Sequence, residues 1–149
     1  MKIPRGATGI FDRRDKPSWI SFEEVVSTAH LVALVLHLRV RQAADGEGSF
    51  WPFVIEDSKR PIAMLFHKVI PVVALAEPPG PGDMEYDFID HDQISDMLSN
   101  SGPFRVLGKE MLDAPIESCD LAELGRIERK LVSFWEPNTV GELLFNLWD

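Results

Sequence analysis

Two hydrophobic periodicities alternate along the chain, one typical of helices and one typical of strands. Ser21 and Glu24 form the pattern of a capping box, in which both side chains accept backbone N–H groups that are free at a helix start. The apolar residues that follow predict a buried helix over about 21–37, which gives way to a strand before residues 45–48. A single helix that continues to Ala44 is the alternative, because the apolar run is nearly continuous.

The middle of the chain favours an antiparallel β-meander. Phe50–Glu56 and Ile62–Ala76 are rich in β-branched and aromatic residues, and a turn-forming stretch, 57–61, separates them. Pro71 has no backbone N–H, so it either splits the second run into two strands or lies at an edge or a bulge. The Pro- and Gly-rich stretch 77–82 then predicts a stiff loop.

The last third of the chain is predicted to be mainly helical. A short helix is expected at His91–Ser99. Asp120 and Glu123 repeat the capping pattern and predict a second helix, whose apolar face runs from Leu124 to Phe134. Pro137 ends that helix, and a third capping pattern follows it.

The chain ends in an amphipathic run, residues 140–148, which Thr139 and Glu142 are expected to cap. Large apolar residues recur in this run at helical spacing, while Glu142 and Asn146 fall on the polar flank. We therefore expect a terminal helix that docks against the sheet. Within it, Gly141 is expected to allow close approach of a neighbouring backbone.

Together these elements predict an α+β fold, in which an antiparallel β-meander over about 38–76 carries a buried N-terminal helix and C-terminal helices packed on one face. The 149 residues fit a single globular domain, 1–149, and the apolar fraction of 45% is typical of such domains. Each tryptophan is expected to pack in the core rather than to line a binding site: Trp19, Trp51, Trp135 and Trp148.

The net charge of −9 is unevenly distributed, and its distribution limits the classes of partner that the protein can bind. Residues 69–104 contain seven acids and no Lys or Arg, and only residues 1–16 are locally basic. Because nucleic-acid binding depends on a basic face, we expect no nucleic-acid partner. The chain begins without the apolar core of a signal peptide and has no apolar run of about 20 residues, so we expect a cytoplasmic protein without a membrane partner.

An acidic segment in the middle of the chain is the main candidate site. Its predicted partner-binding residues are Asp83, Glu85, Asp87, Asp90 and Asp92. If Met84–Asp90 is a strand, the acids at 83, 85 and 87 share one face and apolar side chains share the other. The spacing lacks the glycine and the final glutamate of an EF-hand loop and has no second pair of zinc ligands, so we expect neither a metal nor another cofactor.

Two other classes of function remain open from the residues. A small metal-dependent or hydrolytic enzyme would use His37 or the Asp90-His91-Asp92 cluster. An oligomeric structural protein would pair through an edge of the meander. The residue pattern leaves the oligomeric state open.

The end of the chain also carries a resemblance. The pattern Trp135-Glu136-Pro137-x-Thr139-Val140-Gly141-Glu142-x-x-Phe145-Asn146-x-Trp148-Asp149, with 103–107 upstream, resembles a tail shared by small uncharacterised bacterial cytoplasmic proteins. That set is associated with the immunity partners of secreted toxins. The resemblance implies a non-enzymatic, immunity-type inhibitor. The acidic charge distribution predicts that such a protein-binding module docks on the basic surface of a toxin domain. The resemblance implies no catalytic residues.

Overall fold

A six-stranded sheet lies at the centre of the molecule, and helices cover both of its faces. The computed structural model describes residues 1–12, 14, 19–43, 47–56, 60–82 and 85–148. The strands are β1 (Arg39–Gln42), β2 (Phe50–Glu56), β3 (Ile62–His67), β4 (Val72–Glu77), β5 (Asp87–Phe88) and β6 (Arg105–Leu107). The helices are α1 (Phe22–Leu36), α2 (Asp92–Asn100), α3 (Lys109–Leu112), α4 (Arg126–Trp135) and α5 (Val140–Leu144), with a 3₁₀ turn at Ile116–Ser118.

Strands β1 to β5 form an antiparallel meander in chain order, which confirms the predicted α+β fold. Pro71 splits the second predicted strand run, since β3 ends before it and β4 begins directly after it. The carbonyl of Pro71 accepts a hydrogen bond of 2.8 Å from the backbone N–H of Arg105. Arg105 is the first residue of β6, which pairs in parallel with the start of β4. Strand β5 pairs antiparallel with the end of β4.

The N-terminal helix ends where the pattern placed the change from helix to strand. Ser21 caps α1 by accepting the N–H of Glu24 at 3.4 Å. His37 adopts the left-handed conformation with φ of 56°, which stops the helix, and β1 follows. The alternative of one helix to Ala44 is therefore wrong. The predicted turns at 57–59 and 45–46 lie outside the described residues.

The two faces of the sheet carry different helices. On the first face, α1 and α2 bury apolar side chains that include Val25, Val32 and Leu98. On the second face, residues 1–10 and the helices after β6 form a separate core. All six residues of β3 are buried as a result. The C-terminal helices α3 to α5 share one face as predicted, but α2, which was expected with them, lies on the face of α1. No helix among the described residues is long and apolar enough to cross a membrane.

Helix α4 differs from its prediction in both start and orientation. It begins at Arg126, whereas Asp120 accepts the N–H of Ala122 in a turn at 2.9 Å. Phe134 was expected on the apolar face, yet it is 74% exposed. The fully buried side chain of α4 is Glu128.

Glu128 connects α4 to the N-terminal turn. Its carboxylate accepts the backbone N–H groups of Gly6 at 2.8 Å and Thr8 at 3.0 Å, and the hydroxyl of Thr8 at 2.6 Å. It also accepts the N–H of Gly125 at 3.1 Å, which caps its own helix. Gly6 has a φ of 93°, a conformation that favours glycine. One buried carboxylate therefore satisfies four donors from two distant segments.

The terminal helix is shorter than predicted. Helix α5 ends at Leu144 because Ser49 takes over its last hydrogen bonds: the serine hydroxyl donates to the carbonyl of Leu144 at 2.6 Å and accepts the N–H of Asn146 at 3.0 Å. The Asn146 side chain was expected on the polar flank, but it is buried and donates to the carbonyls of Thr8 at 3.0 Å and Leu143 at 2.7 Å. The last residues are thus fixed by tertiary contacts.

Candidate functional site

An open groove of about 450 Å³ lies on the second face of the sheet. Most of its lining comes from two segments, strand β5 with the two residues before it and residues between 135 and 148. The volume lies within the range of ligand-binding clefts. The groove combines two chemical features, an aromatic lining and an acidic rim.

Aromatic side chains form the apolar lining. They are Phe50, Tyr86, Phe88, Trp135, Phe145 and Trp148. Phe50 contacts Tyr86 and Phe145 edge to face, with centroid separations of 5.8 and 5.9 Å. The rings of Trp135 and Trp148 are nearly parallel, with an interplanar angle of 5° and a centroid separation of 6.2 Å. Six of the fourteen aromatic residues therefore meet at one surface feature.

Gly141 is necessary for the shape of this lining. A Cβ atom at this position would lie 2.2 Å from Cε2 of Phe88 and 3.0 Å from the carbonyl oxygen of Leu112. The predicted packing role of Gly141 is therefore confirmed, since it allows α5 to lie against both the β5 side chain and the backbone of α3.

Exposed carboxylates form the acidic rim. They are Glu85, Asp87, Asp113 and Glu142. Among the described lining residues the only Lys or Arg is Lys109, whose Nζ lies 2.8 Å from Oδ2 of Asp113. The hydrogen bond to Asp113 raises the pKa of Lys109, and the charges of Asp113, Asp87 and Asp90 raise it further. Among the described residues, the rim therefore combines four carboxylates with one lysine.

The structure brings together part of the predicted partner-binding set. Glu85 and Asp87 line the groove and are exposed, while Tyr86 and Phe88 are half-buried, so exposure alternates as predicted. The strand itself is shorter than the predicted Met84–Asp90, since β5 comprises Asp87–Phe88. Asp83 lies outside the described residues.

The other two predicted acids lie outside the lining. Asp90 accepts the backbone N–H of Lys109 at 2.9 Å and so holds the start of α3. Asp92 is exposed in the first turn of α2. Residues 69–104 contain no Lys or Arg, but the fold places Lys109, from outside that segment, among the acids.

The histidines of the enzyme hypothesis lie at the ends of helices. His91 caps α2, since its Nδ1 accepts the N–H of Ile94 at 3.2 Å. His37 is the exposed residue that ends α1. The described residues contain no group of three or more His, Cys, Asp or Glu side chains arranged to hold a metal ion.

Sequence reasoning missed three charged groups of the site and the role of the tryptophans. Lys109, Asp113 and Glu142 are separated from the acidic segment along the chain, so local pattern gave no signal for them. Trp19 and Trp135 were expected in the core, but they are 57% and 42% exposed, and Trp135 lines the groove. The clustering of aromatic residues in 134–148 was the available signal, because exposed tryptophan is typical of binding surfaces.

His67 lies beneath the aromatic lining and is fully buried. Its Nε2–H donates to the carbonyl of Ala7 at 2.7 Å, and its Nδ1 accepts the N–H groups of Val69 and Ile70 at 3.1 Å each. Burial lowers the pKa of His67 from 6.5 to about 4, because the protonated ring would lose its hydration.

This pKa shift predicts a loss of stability in mild acid. Between about pH 6.5 and about pH 4 the unfolded chain binds more protons at His67 than the folded protein does, so the free energy of unfolding falls as the pH decreases. Over that range, we expect protonation of this residue to lower the free energy of unfolding by about 3 kcal/mol. Urea unfolding at each pH measures the loss. A His67→Gln variant cannot take up this proton and should show a shallower pH dependence; equal dependences would contradict the assignment.

Comparison with known proteins identified no relative of this chain. No protein-family model matches the chain, and neither the curated proteins nor the solved structures contain a match.

Proposed function

We propose that this protein is a non-enzymatic binding module that docks its acid-rimmed groove on a basic surface of a partner protein. Its specific form is an immunity-type inhibitor of a basic toxin domain, acting in the cytoplasm. The observation that carries the proposal is the groove itself, in which exposed carboxylates surround an aromatic lining. Neither feature alone specifies a partner, but their combination is typical of a surface that receives cationic groups.

Exposed apolar side chains beside the groove favour a protein as the partner. Phe134 is 74% exposed and Leu147 is 47% exposed, and both neighbour the Trp135–Trp148 pair along the chain. Aromatic side chains at the centre of an interface supply much of its binding energy, while the surrounding polar rim sets selectivity. A small cation alone would leave these apolar side chains uncovered.

The charge of the surface predicts how the partner associates. Complementary charge accelerates encounter and disfavours acidic competitors, and both effects weaken as salt screens the field. The acidic rim also repels phosphate, so a nucleic-acid partner is not part of the proposal.

Affinity capture with matched charge variants tests the proposal. The native protein, an Asp87→Lys/Asp113→Lys variant and an Asp96→Lys/Glu117→Lys control are immobilised and exposed to extract of the cells of origin. The two variants have equal net charge, and the control residues are exposed outside the groove. We expect a basic partner on the native protein and the control, released by salt, with at least about tenfold less on the groove variant.

Equal losses on both variants, or capture that is insensitive to salt, would contradict docking through the groove. The immunity function is tested with the captured partner. Expressed alone, the partner should arrest growth of a host cell; co-expression of the native protein should restore growth, whereas the groove variant should not. Growth that is never arrested would rule out the toxin assignment and leave the binding role.

A further inference from the structure

We infer that the groove is a receptor for a single arginine side chain of the partner. This inference rests on the proposed function and names the chemical group that the site recognises. Three features carry it: the aromatic lining, the position of the acids relative to that lining, and the placement of Lys109.

The aromatic lining favours a cation that can also make apolar contacts. Tyr86, Trp135 and Trp148 line the groove beside three phenylalanine rings, and ring faces of this kind attract cations within about 6 Å. The phenol of Tyr86 is neutral near pH 7, and burial raises its pKa further. A fully hydrated ion would gain little from such a surface, whereas a cationic group on an aliphatic stem can use both the stem and the charge.

The acids select guanidinium over ammonium. Asp87 of β5 and Glu142 of α5 line the groove together with the aromatic rings, so carboxylates from two separate elements border the apolar lining. A planar guanidinium can stack on a ring while its in-plane N–H groups donate to carboxylates at the edge. An ammonium group is more strongly hydrated and makes no planar stack, so its transfer to this lining is less favourable.

Lys109 shows that the site already holds a cation from its own chain. Its ammonium pairs with Asp113, and the nearby charges of Asp87 and Asp90 raise its pKa. An entering arginine therefore competes with Lys109 for the same acidic field. Removal of this lysine charge should strengthen arginine binding, an effect that a purely structural role for Lys109 would not produce.

Titration of the full-length protein with short capped peptides tests the inference. The probes are acetyl-Gly-Arg-Gly-amide, its lysine analogue and its citrulline analogue, which is neutral but has nearly the same shape as arginine. NMR signals of the four indole N–H groups report the position of binding. We expect the arginine peptide to shift Trp135 and Trp148 but not Trp19 or Trp51, and to bind about tenfold more tightly than citrulline.

Two variants and one control sharpen the test. Asp87→Asn should weaken arginine binding severalfold, and Lys109→Gln should strengthen it by a similar factor. Asp96→Asn removes an exposed acid of α2 outside the groove and should leave the affinity unchanged.

Each other occupant gives a distinct result. Equal binding of lysine would overturn the guanidinium assignment, and equal binding of citrulline would indicate a neutral apolar ligand. A Lys109→Gln variant that binds no better than the native protein would also contradict the inference. The groove variant could lose the protein partner while the native protein binds no arginine peptide at millimolar concentration. That result would refute this inference but not the proposed function. Arginine binding without a captured partner would refute the proposed function alone.

Discussion

Replacement of Glu128 with alanine is expected to lower the free energy of unfolding by about 4 kcal/mol. The substitution removes a carboxylate that accepts four hydrogen bonds, from Gly6, from both donors of Thr8 and from Gly125. These donors are buried, and each one left unsatisfied costs about 1–3 kcal/mol. Since whole domains have net stabilities of about 5–15 kcal/mol, the variant should be close to unfolding at ambient temperature.

Urea unfolding measures this effect as a lower midpoint. A Glu128→Gln variant preserves the shape but presents an NH₂ group to N–H donors, so it should recover only part of the loss. In that variant, hydrogen exchange at Gly6 and Thr8 should accelerate more than exchange in β3. Glu110→Gln, at an exposed acid of α3, is the matched control and should change the stability by less than about 0.5 kcal/mol. A loss below about 1 kcal/mol for Glu128→Ala would mean that the N-terminal turn is not held by this carboxylate.

Replacement of Asn146 with alanine is expected to cost about 3 kcal/mol and to release the end of the chain. The amide donates to the carbonyls of Thr8 and Leu143, and its Oδ1 accepts the N–H of Trp148 at 3.1 Å. The loss of these bonds removes the restraint that holds Trp148 beside Trp135. The variant should therefore lose stability and also weaken ligand binding in the groove.

Thermal unfolding and the indole NMR signals measure these two effects separately. The Trp148 signal should move toward that of a solvent-exposed indole, whereas the Trp51 signal should stay in place. Asn100→Ala, at an exposed position that ends α2, is the matched control and should leave both measurements unchanged. An Asn146→Ala variant with native stability and a native Trp148 signal would contradict the anchoring role.

Local pattern was sufficient for the elements whose signals are periodic. The capping residues Ser21 and Thr139 begin helices as predicted, and the apolar runs of 50–56 and 62–76 form strands split at Pro71. Each of these signals acts within a few residues, through hydrogen bonds to adjacent backbone or through alternation of side chains. For that reason the α+β class and the meander could be derived before the structure.

Local pattern failed where a distant group replaced a helical partner. The terminal run has helical spacing through Trp148, yet Ser49 binds the carbonyl of Leu144, 95 positions along the chain, and the helix stops there. In α4, burial of Glu128 rotates the helix, which leaves Phe134 in solvent. Hydrophobic periodicity assigns a carboxylate to the exterior, so it could not predict a buried acid with four donors.

The candidate site divides in the same way. Its acidic segment, and the alternation that leaves Glu85 and Asp87 exposed, were determined by the local order of residues, although only Asp87 lies within β5. The groove was decided by tertiary structure, which brings Asp113, Glu142 and the Trp135–Trp148 pair to that strand and places Lys109 among the acids. The physical reason is range: periodicity and capping act between neighbours in sequence, whereas a concave site is formed by side chains that meet only when distant segments pack on one sheet.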